Sequence, residues 1–420
     1  KPHAILYHAG NCCARKTDGL YGFGIDYATI GWYNRSMTKR ETKNRTQSSA
    51  TGILVRACFG AGLILLGLNW PRLLAGKSAW MEQHYSEGIY LPIRRAISAL
   101  TSLVPFSIAE FLLYFLALGV SALLLVRLIQ LVLCKIKLSR LISTLASILL
   151  AGGIVLNLFY ATWGFNYFRE PLAQRMELTI ETRSVDELEA FVLKTAIEAR
   201  TLRETLHEDE NGVFAPKESK GELFQKLTQA YRALHKEIPV IPPDPTRAKQ
   251  IFWSRGLSWQ GISGIYIGLT AEPNVNADQP PLLLYQAAAH EMAHQTGIAS
   301  ENEAELTGYL ACLHSSDPNV RYSGLAYALI VAGNALYSAD STRYLAATEA
   351  YGDAIWRDFS AYNAYWRAFS GEVRQSADRR NDAYLKHNSQ PSGINSYGEA
   401  VDLLLAYDAR FGASSDTNQN

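Results

Sequence analysis

"AAHEMAHQTGIASENEAEL", residues 288–306, decides how the larger half of this chain has to fold. His290 and His294 are four apart, so on a helix they stand one above the other on the same face. Both can then offer an imidazole nitrogen to one divalent ion at ~2.0–2.1 Å. Glu291 is rotated about 100° from His290, close enough to reach a water on that ion but out of line to ligate it. Zinc held this way lowers the pKa of its water, and Glu291 is placed to take the proton and later deliver it to a leaving amine. Three protein ligands keep open the position that catalysis needs. The HExxH spelling should arise by chance in about one chain of this size in a hundred. Pro280 and Pro281 open the apolar run before it, and Gly297 is suited to terminate the helix after it.

A third ligand must follow the turn. Ser300 is expected to cap a second helix, with Glu303 closing a capping box. Glu301 and Glu305 then share one face and Glu303 points elsewhere. Acidic residues also suit a helix N-terminus without any metal, so spacing alone leaves the ligand open.

Outward from this stretch, "GISGIYIGLTAEPNVN" (261–276) changes period. Ile265, Ile267 and Leu269 alternate with Gly264, Tyr266 and Gly268, which predicts a strand over 263–270 with one bare face. Such a face admits a close backbone, and an edge strand beside the metal helix would pair with an extended peptide. An ordinary sheet strand fits the same residues. Helices are predicted at 184–206 and 220–238, the first with a Ser184–Glu187 capping box. Helical runs continue to about 410, broken near 315–319 and 387–393.

The other half is apolar. Residues 107–134 carry only Glu110 and Arg127, and 141–163 carry no charge, so each is long enough to cross a ~30 Å hydrocarbon layer. A shorter run, 53–70, is a third candidate, with Trp70 and Trp163 suited to an interfacial belt. Three spans put the basic cluster Arg35–Arg45 and the loop Lys135–Arg140 on one side, taken as cytoplasmic, and residues after Trp163 outside. Arg72, Lys77, Arg94 and Arg95 in the loop 72–106 weaken that argument without reversing it. No apolar h-region opens the chain, so no cleavable signal peptide is expected. A formal charge of +1 gives no sign of a nucleic-acid partner, and five scattered cysteines make no disulfide framework or zinc finger.

Two resemblances add to this. "HEMAH…ENEAE" resembles the E-x-x-A-[D/N/E] element of gluzincin-type zinc peptidases, which implies Glu301 as the ligand, with Ala304 and Glu305 completing the element. The gap of seven residues from His294 is shorter than in many gluzincins, and Glu303 stays an alternative. More widely, "WGFNYFREPLA" (163–173), "RYSGLAYAL" (321–329), "NDAYLKHNSQPSGINSYGEAVDLLL" (381–405) and the stretches above are similar to the bacterial membrane-protein family called domain of unknown function 3810. The resemblance implies membrane spans followed by an extracytoplasmic HExxH domain. Asn replaces Glu305 in many members, which argues against Glu305 as the essential ligand.

The expected fold is therefore mainly α: transmembrane helices, then an α-rich zincin-like extracytoplasmic domain with a small β-sheet carrying an edge strand beside the metal helix. Residues 1–50 are left unassigned, 51–164 form the membrane part (spans about 53–73, 107–134 and 141–163), 165–412 the metallopeptidase-like domain, and 413–420 a frayed tail. The expected function is a membrane-anchored zinc metallopeptidase cutting peptide or protein substrates. His290, His294 and Glu301 would hold Zn2+, with Glu291 as base and Tyr397 as oxyanion donor; His387 and His314 are rivals for that last role. A non-catalytic sensor or assembly protein with a structural metal is the alternative. Intramembrane proteolysis is disfavoured because HEMAH lies about 125 residues past the last span in polar sequence. Oligomeric state is not readable.

Overall fold

The computed structural model describes residues 27–181, 183–393, 395 and 399–412, with side chains from Ala50 onward. The tail after 412 lies outside them. Helix α1 (Tyr27–Leu74) runs unbroken through the basic cluster, a stretch for which the sequence predicted no fold. Lys1–Arg56 and Ala57–Asn420 are separate units of internal contact. The second holds all that follows here except residues 50–56.

Among the described residues, three helical stretches are long and apolar enough to cross a membrane: Ala50–Leu74 at the end of α1, α3 (Ile108–Val132) and α4 (Leu138–Thr162). Each has 25 residues, about 37 Å at 1.5 Å per residue, which exceeds the hydrocarbon thickness. None of α3's most apolar window is buried in protein, so its surface calls for lipid. Where α1 meets α4 the backbones nearly touch: a Cβ on Gly60 would lie 2.7 Å from the Leu150 amide nitrogen. Small residues at such crossings let apolar helices gain dispersion contact.

Between α1 and α3, a π-helical segment (Met81–Tyr90) leads into α2 (Leu91–Thr101). Arg94 and Arg95 on α2 both pair with Asp244, at 2.8 and 2.6 Å. Two of the four loop charges that clouded the orientation argument are thus spent within the protein.

Beyond Trp163 the predicted helices form as α5 (Val185–Arg203) and α6 (Lys220–Glu237), each opened by a complete capping box, Ser184–Glu187 and Ser219–Glu222. Each Ser cap stabilises its helix by about 1 kcal/mol. The stretch 261–276 is a hairpin rather than one strand. β2 (Gly264–Ile267) pairs antiparallel with β3 (Glu272–Val275), Gly264 opposite Val275 and Ile267 opposite Glu272. The reversal uses Ala271 at φ 50°, a left-handed conformation that no glycine announces. A two-residue β1 (Lys249–Gln250) joins β3 in parallel, leaving β2 on the outside of the order β1-β3-β2.

At the centre lies α7 (Pro281–Gln295), in which every residue from Leu282 to Gln295 is buried. It packs against α8 (Glu301–Leu313), α9 (Pro318–Ala339) and the sheet, and so needs apolar residues all round. Helices α10 (Gly352–Arg367), α11 (Glu372–His387) and α12 (Ala400–Tyr407) complete the chain, with breaks near 315–319 and 387–393 as predicted. A second, aromatic core joins the end of α4 to this layer: Met81, Tyr85, Tyr90, Tyr160, Trp163, Phe168 and Tyr266. Trp163 is 4 % exposed within it and does not sit in the lipid-facing belt the sequence suggested.

Candidate metal centre

Four buried polar side chains of the HEMAH stretch and its sequel meet in one place. The His290 and His294 rings stand 4.6 Å apart, one turn above the other on α7, as the i, i+4 spacing requires. Gly297, at φ +94°, reverses the chain, and α8 returns alongside. The approach is close because Gly308 faces α7, where a Cβ would lie 3.0 Å from the His290 amide nitrogen. This brings Glu301 Oε2 to 3.2 Å from His290 Nε2 and 3.5 Å from His294 Nε2. His290, His294 and Glu301 are the one group among the described residues whose ligand atoms could hold a metal, all within 4.8 Å of one another.

The donor set fits a zinc ion. Two Zn–ligand bonds of 2.0–2.1 Å at tetrahedral angles place their ligand atoms ~3.3 Å apart, between the two separations seen. Glu301 Oε2 is buried without a well-aligned hydrogen bond, an arrangement that costs stability unless a cation answers it. The rings are oriented from behind. His294 Nδ1 lies 2.7 Å from the Ile298 carbonyl oxygen, which only accepts, so Nδ1 carries the proton and Nε2 the lone pair. His290 Nδ1 faces Glu305 Oε2 at 3.5 Å. Glu305 therefore addresses the far nitrogen of His290 rather than the shared point.

Glu303 goes elsewhere. Its Oε1 accepts from the Leu172 amide at 2.5 Å, and burial raises its pKa to about 7. The capping box expected at Ser300 does not form, because this distant amide takes the carboxylate and Ser300 Oγ donates instead to Asn302 Oδ1. Gln390 Oε1 accepts from the Glu301 amide at 3.2 Å and occupies the helix start.

Glu291 is 4 % exposed, and its Oε2 makes no hydrogen bond. Burial, opposed by both histidines, lifts its pKa to about 7, within reach of accepting and returning a proton near neutrality. Burial disfavours the His290 imidazolium, but Glu305, Glu301 and Glu291 outweigh it and hold that pKa well above the ordinary value. For Glu301 burial is outweighed in turn by the two imidazoles, and the carboxyl stays well below the usual range.

The bare face of the strand is not open to a substrate backbone, contrary to the expectation from its glycines. A Cβ on Gly264 would lie 2.5 Å from Glu291 Cγ and Oε1, and one on Gly268 would strike Trp163. The absent side chains make room for residues of the same chain. The outer hydrogen-bonding edge of β2, by contrast, carries no further strand among the described residues.

Tyr397 lies outside the described residues. His314 is bound up away from the triad, with Nε2 3.0 Å from Glu237 and Nδ1 2.7 Å from the Leu310 carbonyl. His387 ends α11 exposed. The phenol that does come within electrostatic reach of Glu301 is Tyr384, bonded to Tyr167 at 3.0 Å. Nothing in its local sequence, "NDAYLKH", set it apart.

The family described as a protein of unknown function, DUF3810, matches residues 85–405. That is most of the chain, which belongs to this family. No curated protein and no solved structure matches it.

Proposed function

We propose that this member of the DUF3810 family is a membrane-anchored zinc peptidase, with a zincin-like domain on the extracytoplasmic side. One observation carries the reading: three ligand atoms of His290, His294 and Glu301 lie within 4.8 Å of one another, next to the buried Glu291 carboxylate, whose Oε2 accepts no hydrogen bond from any described residue. A site built only for stability would saturate that carboxylate. Zinc in this triad would supply Lewis acidity to a water and to the scissile carbonyl. Glu291, whose burial favours a carboxyl that takes up a proton readily, would accept the proton of the attacking water and pass it to the leaving amine. An extended substrate adds to the outer edge of β2 through main-chain hydrogen bonds. Tyr384, whose phenol bonds Tyr167 and feels the charge of Glu301, is a candidate to donate to the developing oxyanion.

The test uses the full chain in lipid nanodiscs, with zinc counted by mass spectrometry and cleavage of a mixed peptide library followed over time. Wild type should hold one zinc and cut. Glu291→Gln should hold the same zinc and lose about 10²–10⁴-fold in rate. Full activity in Glu291→Gln would end this mechanism. Zinc without cleavage in the wild type would favour a sensor or assembly role.

A further inference from the structure

Far apart in sequence, the metal triad and the membrane helices are adjacent in space. Trp163 directly follows the last residue of α4, and its ring centre is 5.7 Å from that of His294 and 4.8 Å from that of Tyr266 on β2. Tyr160, inside the last turn of α4, donates to Asn388 Oδ1 at 3.1 Å, two residues from the Gln390 that accepts from the Glu301 amide. Helix α3 is bound as closely. The amides of Ile108 and Ala109, which open α3, donate to the two oxygens of Glu272 at 2.9 and 2.8 Å, and Glu272 is paired in register with Ile267 of the edge strand. Glu110, in the first turn of α3, accepts from the amides of Phe252 and Trp253 at 2.8 and 2.9 Å. The side chains of those two are left 85 % and 62 % exposed, at the level where the apolar helices begin, where aromatic rings favour the lipid interface.

From this we infer that the substrate is the juxtamembrane segment of a membrane-anchored polypeptide, cut within a few residues of the bilayer. The inference rests on the peptidase reading and on α3 and α4 crossing a bilayer. A 25-residue helix outlasts a ~30 Å hydrocarbon layer by about 7 Å in all, so the end of α4 reaches headgroup depth, with Trp163 next to it enclosed by protein. One ring-to-ring step then reaches His294. Extended chain advances ~3.3 Å per residue, so roughly three to six residues bridge from hydrocarbon to site. A soluble peptide has to reach the edge of β2 from bulk solution; a tethered one is delivered there at high effective concentration.

The probe is a randomised peptide library of twenty-residue segments, offered either free in solution or joined at one end to an alanine–leucine transmembrane helix in the same liposomes as the full chain. The expected result is that tethered segments are cut at least tenfold faster, with the cuts mapped by mass spectrometry to the six residues nearest the helix. Cuts spread along all twenty residues, or free segments cut as fast, would overturn the substrate class and leave the peptidase reading standing. No cut in either format would remove both. Independently of activity, brominated lipids should quench the tryptophan fluorescence of the wild type more than that of Trp253→Phe. Equal quenching would show the sheet standing clear of the bilayer and would overturn the inference.

Discussion

Two buried clusters of charge in this protein are built on opposite principles. Around Asp358 every carboxylate lone pair is answered: Oδ2 accepts from Arg203 Nε at 2.7 Å and Tyr322 at 2.6 Å, and Oδ1 accepts from the Phe214 amide at 2.8 Å and Arg203 at 3.3 Å. Arg203 spends what remains on Glu208 and the Gly212 carbonyl. Around Glu291 and Glu301, equally buried, one oxygen of each carboxylate goes without a well-made hydrogen bond. The first cluster closes a fold. The second leaves desolvated acceptors converging on a point where a cation would be stabilised, and a chain tolerates that cost where function needs it.

The comparison can be broken by substitution. The largest effect should come from Asp358→Ala, which strands the Arg203 guanidinium inside the protein and should lower stability by about 3–5 kcal/mol. Denaturant unfolding in detergent measures it, and a loss under 1 kcal/mol would show that the saturated cluster holds little together. Glu291→Gln should do the reverse in protein stripped by a chelator. Glu291 is an acid whose folded pKa, about 7, exceeds its unfolded value, so burial costs nothing while the group is neutral and progressively more as pH rises. The variant should match wild type at pH 4 and exceed it by up to about 3 kcal/mol at pH 8. A variant less stable at pH 8 would mean that the carboxylate is a structural group after all.

A smaller effect is expected at Gly264, where a methyl group would meet the Glu291 side chain. Gly264→Ala should cost about 1–3 kcal/mol through overpacking and should slow cleavage while zinc stays bound. Unchanged rate and stability would show that Glu291 has room to move. The smallest effect is reserved for Glu305→Asn, which keeps an acceptor for His290 Nδ1 and should weaken zinc binding by no more than about tenfold in competition with a chelator. Complete loss of zinc would make Glu305 a ligand.

Much of this arrangement was legible in the chain. Local rules sufficed for the capping box at Ser184, the three apolar helices and the placing of His290 and His294 on one helix face, because each depends on residues within one or two turns. What escaped depends on partners far along the chain. Glu303 is drawn from its capping box by the Leu172 amide, and the glycine at 264 answers to a side chain 27 residues later. The hairpin was read as a single strand because its reversal uses Ala271 in place of glycine. Distance in sequence also misled: HEMAH is far from the last span along the chain, yet the residue ending that span touches it.

Glu272 shows what that closeness requires of biosynthesis. Its carboxylate, 1 % exposed, is neutralised jointly by Lys249 and by the two amides that begin α3. A chain shortened to start at Phe165 would keep the Lys249 partner of Glu272 but lose the two amides that share its charge, and would lose both guanidiniums, of Arg94 and Arg95, that answer Asp244. The fold after Trp163 is therefore completed by groups that α2 and the start of α3 supply, and the two parts of the chain depend on each other for the neutralisation of buried charge.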